Sequence, residues 1–164
     1  MKKGTIVILL ALALAVGLMA IPAQGMVAPQ PPPAEIGTRT LGFYVNHPCV
    51  IGQVLPVDGI DNVDGVIAII KDRKTHASRL ASQLMVTKLN VAVFGIDACT
   101  LEELGLVGTE TVNEIIAQAE ALLASPGATK GQLSAMQDLL DEINNSNDES
   151  PLPDYITAVC PPGA

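Results

Sequence analysis

Two histidines, three cysteines and a group of aspartates are the residues of this chain with chemistry to offer. Asn46-His47-Pro48, with Phe43 and Tyr44 just upstream, is the most suggestive group. An imidazole beside a carboxamide and two rings can line a small-molecule or metal pocket. The same residues can close a turn, with Pro48 directing the chain and the rings packing on a core. The structural role is the expected one. His76, with Asp72 nearby, has no ligand spacing to His47, and a zinc site takes three or four protein ligands, so no metal site is expected. Asp58, Asp61, Asn62 and Asp64, with Gly59 and Gly65, resemble a calcium loop at first sight. An EF-hand needs oxygens at loop positions 1, 3 and 5. Counting from Asp58 puts Ile60 at position 3, and counting from Asp61 puts Val63 there. A turn leading into a helix N-cap accounts for these acids better, because the positive end of the helix dipole favours them.

Cys49, Cys99 and Cys160 allow one bridge and one leftover thiol. No histidine or basic residue directly flanks any of them, so none is expected to be a lowered-pKa nucleophile. A Cys49–Cys99 bridge is the favoured pairing. It ties the segment around Phe43 to the loop after the second helix, worth about 4 kcal/mol in the chain-entropy model. Cys160 is then free or bridges another chain; Cys49–Cys160 and Cys99–Cys160 remain the alternatives. The chain has no Ser-His-Asp signature, Gly-rich phosphate loop or paired-carboxylate motif, and no cofactor is expected. Glu102, Glu103, Asp138, Asp141 and Glu142 read as a solvated surface. Asn144-Asn145-Ser146 matches a glycosylation sequon.

The elements that must position these residues are helices. Val63, Val66, Ile67 and Ile70 recur at helical spacing, with Asp61 or Asn62 to cap the first turn. Ala77, Leu80, Ala81, Leu84, Met85 and Leu89 form a second stripe, with Arg79, Ser82, Gln83 and Lys88 largely off it. Thr111 and Glu114 make a capping box before Val112, Ile115, Ile116, Ala119, Leu122 and Leu123. Ser125-Pro126-Gly127 stops that helix, and Thr129 with Gln132 repeats the box before Leu133, Met136, Leu139, Leu140 and Ile143. Thr100 and Glu103 start a short turn between the second stripe and the Thr111 helix. Four amphipathic helices, each weak alone, must bury their stripes on one another. The expectation is an all-α fold: a small bundle of about four helices over 41–146, with an irregular N-terminal segment and extended tails. Val50 to Val57 reads as one short hairpin arm, and 147–164 as a C-terminal tail.

The first 25 residues read differently. Lys2 and Lys3 precede an unbroken apolar run from Ile6 to Val16, Pro22 breaks the helix, and Ala23-Gln24-Gly25 offers small residues at a cleavage site. That is the grammar of a secretory signal over 1–25, followed by a Pro-rich linker over 26–40. The full chain has 164 residues, formal charge −8 and an apolar fraction of 49%. Without the signal it loses Lys2 and Lys3, so the charge becomes −10 and the apolar fraction about 45%, ordinary for a globular domain. No second membrane segment follows. Nine Lys and Arg against seventeen Asp and Glu, with four aromatic residues, exclude the basic stripe and stacking platforms of a nucleic-acid binder.

Thr40-Leu41-Gly42-Phe43-Tyr44-Val45-Asn46-His47-Pro48 resembles the Gly-aromatic-aromatic-x-Asn-His-Pro opening of a module of secreted bacterial surface proteins. Lys88-Leu89-Asn90, closing the second helix, is similar to the Lys-Leu-Asn end of that module's alanine-rich segment. Leu139-Leu140-Asp141-Glu142-Ile143-Asn144-Asn145 is similar to its final leucine-rich helix with terminal Asn-Asn. The likeness spans about residues 37–146. Tyr44 stands where tryptophan is usual, Gly37 where a cysteine often precedes the motif, and no tryptophan follows Pro48. The resemblance implies an exported helical protein of the cell surface or matrix and carries no catalytic activity. Gly42, Phe43, Tyr44, Asn46, His47 and Pro48 are then structural motif residues. The expected function is a secreted, non-enzymatic structural or interaction protein that associates with itself or with other surface proteins. The alternative is a secreted small-molecule or metal-binding protein, conceivably a hydrolase, using Asn46 and His47.

Overall fold

The computed structural model describes residues 36–160. The expected signal (1–25), most of the expected linker (26–35 of 26–40) and residues 161–164 lie outside the described residues. The four expected helices are α3 (Val63–Lys71), α4 (His76–Phe94), α5 (Val112–Ala124) and α6 (Lys130–Asn145), and three short ones accompany them: α1 (Leu41–Asn46), α2 (Pro48–Gln53) and α7 (Asp154–Thr157).

Local chemistry sets the helix ends. The Asn62 side chain accepts from the Gly65 backbone N–H to start α3. Reciprocal capping boxes open α4 (Thr75 with Ser78), α5 (Thr111 with Glu114) and α6 (Thr129 with Gln132). Gly95, at φ 68°, closes α4 in the left-handed conformation that favours glycine. Thr100 and Glu103 also exchange bonds across a turn, as their spacing predicts.

The hairpin arm expected over Val50–Val57 is absent. Pro48 sits at the first helical position, where its fixed φ suits a helix and its missing N–H is no loss, so 48–53 winds into α2. Val50 and Ile51, adjacent in sequence, are both buried by it. Only the turn survives: Val57 and Ile60 exchange backbone bonds of 3.0 and 2.9 Å around Asp58 and Gly59, both at positive φ.

Helix α4 is the axis of the fold. It packs on α1, α3, α5 and α6, so it is buried on more than the one stripe that periodicity predicts. Ser82 and Gln83, expected off that stripe, are buried with Thr87 and Asn90. Each has an internal partner, beginning with Ser82 Oγ, which donates to the last-turn carbonyl of Ile70 in α3 at 2.7 Å. Residues 36–40 and 150–160 also pack on the bundle: Thr38 and Arg39 are buried, and Ile156 of α7 is fully buried.

The disulfide is Cys49–Cys160, and Cys99 is the free thiol. The favoured Cys49–Cys99 pairing is therefore corrected, and Cys160 is not the leftover cysteine. Closing loops with separations of 50 and 111 residues differs in entropy by only about 0.7 kcal/mol, so chain length could not choose between them. Packing chooses. The loop after α4 holds Cys99 through backbone bonds with Ile96 and Val112, while the C-terminal segment brings Cys160 onto α2.

Candidate functional site

One residue from each of the three motifs, Tyr44, Asn90 and Asn144, meets the others in the interior. Asn90, on the last turns of α4, is fully buried. Its amide oxygen accepts from the Arg39 backbone N–H (2.8 Å) and from the Tyr44 hydroxyl (2.9 Å). Its amide nitrogen donates to the Arg39 carbonyl (3.0 Å) and to Asn144 Oδ1 (3.0 Å). Both donors and both lone pairs of the carboxamide are thus engaged. Asn90 treats Arg39 as a neighbouring strand would, holding its N–H and C=O together.

Asn144, near the end of α6, is equally saturated. Its oxygen accepts from Asn90 and from Thr87 Oγ1 (3.0 Å), and its nitrogen donates to Gln83 O (3.2 Å) and Gln83 Oε1 (3.0 Å). Gln83 Nε2 carries the chain outward to Asp141 Oδ1 at 2.6 Å. Among the described residues, no buried side-chain nitrogen or oxygen lacks a partner. Burial pushes the Tyr44 hydroxyl far above the usual phenol range, so it stays a donor at every physiological pH. The sequon at Asn144 is closed by the fold, because its side chain has no exposed surface.

Arg39 extends the network to the surface. Its guanidinium lies 5.2 Å from the Phe43 ring centre and 5.3 Å from that of Phe94. It donates to the carbonyls of Thr38 (2.6 Å), Asp148 (2.7 Å) and Ser150. Desolvation lowers its pKa, opposed by Tyr44 and Asp148. Thr38 adds a reciprocal pair with Asn147: its N–H donates to Asn147 O (3.1 Å), and Asn147 N–H donates to Thr38 Oγ1 (3.0 Å). A Cβ on Gly37 would lie 2.6 Å from the Phe94 ring and 3.2 Å from Ser150 Cβ. Position 37 therefore has no room for a side chain.

The remaining sequence candidates have separate structural partners. His47 closes α1: its ring nitrogen Nδ1 donates to the Phe43 carbonyl at 2.8 Å, and its ring stacks on Phe43 at 4.2 Å. Phe43 meets Tyr44 edge-on at 5.4 Å. Asn46, Gly42 and Pro48 are exposed. His76 reaches Ser134 Oγ on α6 (3.1 Å), and Asp72 accepts from the Lys74 backbone. Asp58 pairs with Lys88 at 2.6 Å, and Glu120 meets the same ammonium at 2.6 Å. Burial opposes the Lys88 charge, but the two carboxylates outweigh it and raise its pKa. Among the described residues, no group of three or more His, Cys, Asp or Glu could hold a metal ion. Burial, with Glu103 and Asp97 nearby, pushes the Cys99 thiol up and away from reactivity. Two open grooves, of about 420 and 300 Å³, lie beside Leu122, Met136 and Leu139 and beside Lys88 and Val91; neither is lined by Asn46 or His47.

Arg39, Gln83 and Thr87 are the network members that sequence periodicity does not single out. A weak signal existed: Asn90 and Asn144 close two apolar helical stripes with carboxamides, an unusual residue type for a core unless each meets a partner. Among the described residues, no helix is long and apolar enough to cross a membrane. Compared with known proteins, the chain matches no family model, no curated protein and no solved structure.

Proposed function

We propose that this is an exported, non-enzymatic structural or interaction protein of the cell surface or extracellular matrix, associating with itself or with other surface proteins. The observation that carries the reading is the closure of Tyr44, Asn90 and Asn144 on one another and on Arg39. These residues come from the three separate motifs that resemble the surface-protein module. Their polar groups bind the chain itself, so the motif acts as a clamp of the fold, and His47 is one of its caps. The signal-like first 25 residues and a Cys49–Cys160 bond compatible with an oxidising compartment support export. An acidic surface suits a solvated exported domain.

Expression of the full chain in a secreting host, followed by intact mass, tests the reading. The expected product starts at Met26, contains the Cys49–Cys160 bond and is found outside the cytoplasm. His47→Ala then separates the two roles of that residue. The clamp reading expects a lower melting temperature with unchanged metal and ligand content in native mass spectrometry. A folded His47→Ala protein that loses a stoichiometric metal or small molecule overturns it in favour of a binding protein.

A further inference from the structure

Residues 151–160 form a strap held to the bundle at few points. Ile156 is fully buried, the Tyr155 hydroxyl donates to the Val93 carbonyl at 2.8 Å, and Cys160 is bonded to Cys49 of α2. Among the described residues, no other N–H or O–H hydrogen bond leaves this segment. The chain just before it is fixed firmly. Arg39 holds the Asp148 and Ser150 carbonyls, and Ser150 Oγ donates to Ile36 O at 3.0 Å. The joint between the fixed chain and the strap is therefore Pro151-Leu152-Pro153. Its two prolines have no N–H with which to hold the joint closed.

We propose that the surface that receives Tyr155 at the end of α4, Cys160 on α2 and the buried Ile156 side chain also takes the strap of a second copy. The product is a reciprocal dimer with two intermolecular Cys49–Cys160 bonds. A partner's strap presents the same side chains to the same surface, so the contacts of 154–160 are retained, and only the joint, with the packing of Leu152 on the core, changes. The outer face of the strap adds a contact. Tyr155 and Val159, four residues apart, are 54% and 56% exposed, and two straps crossing at a dyad cover them. Cys49 is exposed, so its bond is open to a small thiol.

The exchange balances without an external oxidant. A monothiol's thiolate attacks the exposed Cys49 Sγ, forming a mixed disulfide there and releasing the Cys160 thiolate. The Cys160 thiolate of a second copy, opened in the same way, attacks that mixed disulfide at Cys49 Sγ, forming the intermolecular bond and returning the monothiol. Two such events convert two internal disulfides into two crosslinks with no net oxidation. The proposal deepens the reading of a self-associating exported protein and rests on it, since the bond must persist where the protein works.

The test mixes equal amounts of ¹⁵N-labelled and unlabelled full-length secreted protein in a glutathione redox buffer. The mixture is then alkylated, separated by size without reductant and mapped by peptide. Because an internal strap acts at an effective concentration of order mM, dimer should be below about a tenth at ~10 μM and about half at ~1 mM, with about half of its Cys49–Cys160 peptides joining light to heavy chains. Cys99→Ser should leave this unchanged, and so should Ile156→Ala, because Ile156 fills the same site in both forms; Val159→Ser, which removes an outer-face contact made only in the dimer, should reduce the dimer at least severalfold. Monomer at both concentrations, a dimer linked through Cys99, or a yield unaffected by Val159→Ser overturns the exchange. In the first of those cases an intact Cys49–Cys160 bond leaves the exported reading standing. Recovery of Cys49 and Cys160 as free thiols from the producing cells overturns that reading instead.

Discussion

Replacing Asn90 by leucine removes a carboxamide while keeping the same branched heavy-atom skeleton, and it strips three buried groups of their partner at once. The Arg39 N–H, the Arg39 carbonyl and the Tyr44 hydroxyl are left unpaired in the interior, whereas the Asn144 oxygen keeps Thr87. Each orphaned buried group costs about 1–3 kcal/mol, so three suggest about 6 kcal/mol if nothing moves. A second route exists. Residues 36–40 can lift away and rehydrate the Arg39 backbone, losing instead the Thr38–Asn147 pair and the Arg39 contacts with Asp148 and Ser150. The cheaper route decides, and the expected loss is about 3–5 kcal/mol, a large part of the 5–15 kcal/mol typical of a domain. Asn144→Leu breaks the same Asn90–Asn144 bond, so the double substitution should cost about 1–3 kcal/mol less than the sum of the singles. Urea unfolding followed by far-ultraviolet circular dichroism, with the disulfide intact, measures all three. An Asn90→Leu protein within about 1 kcal/mol of the parent, or strict additivity of the pair, would refute the network as the clamp of the fold.

The disulfide closes a separation of 111 residues, so Cys49→Ser with Cys160→Ser should lower stability by up to about 4.7 kcal/mol. Cys99→Ser should change it by less than about 1 kcal/mol, and the denatured, unreduced chain should titrate one thiol, mapped to Cys99. Gly37→Ala forces a methyl into the Phe94 ring and should cost about 1–3 kcal/mol in urea unfolding; a neutral result contradicts the close approach. The Thr111 backbone N–H and side chain hold the Glu114 carboxyl below the ordinary carboxylate range. A carboxyl with a lowered folded pKa adds stability at pH above its unfolded value and loses it as pH falls through the folded value. Carboxyl NMR titration should therefore find Glu114 titrating low and Thr111→Ala moving it upward.

Much of the architecture was legible because its signals are local. The capping boxes at Thr111 and Thr129, the Asn62 cap and the Ser125-Pro126-Gly127 stop depend on residues within one turn of each other, and each is found where spacing predicts it. Apolar periodicity located α3 to α6 for the same reason. It failed at Ser82 and Gln83, because a stripe reveals one buried face and α4 has several. It failed at Val50–Val57, where two adjacent buried residues and a proline at the first helical position give a helix in place of alternation.

The sequence by itself determined the helical class, the starts of α3, α5 and α6 and the stop after α5. Those are consequences of composition and of interactions spanning a few residues. Only the tertiary structure decided that Asn90 and Asn144, 54 residues apart, share a hydrogen bond with Arg39 and Tyr44 gathered on the same carboxamide. It also decided which cysteine meets Cys49. Both outcomes depend on which surfaces α4 presents to its neighbours, and long-range partners with nearly equal closure entropies are separated by packing alone.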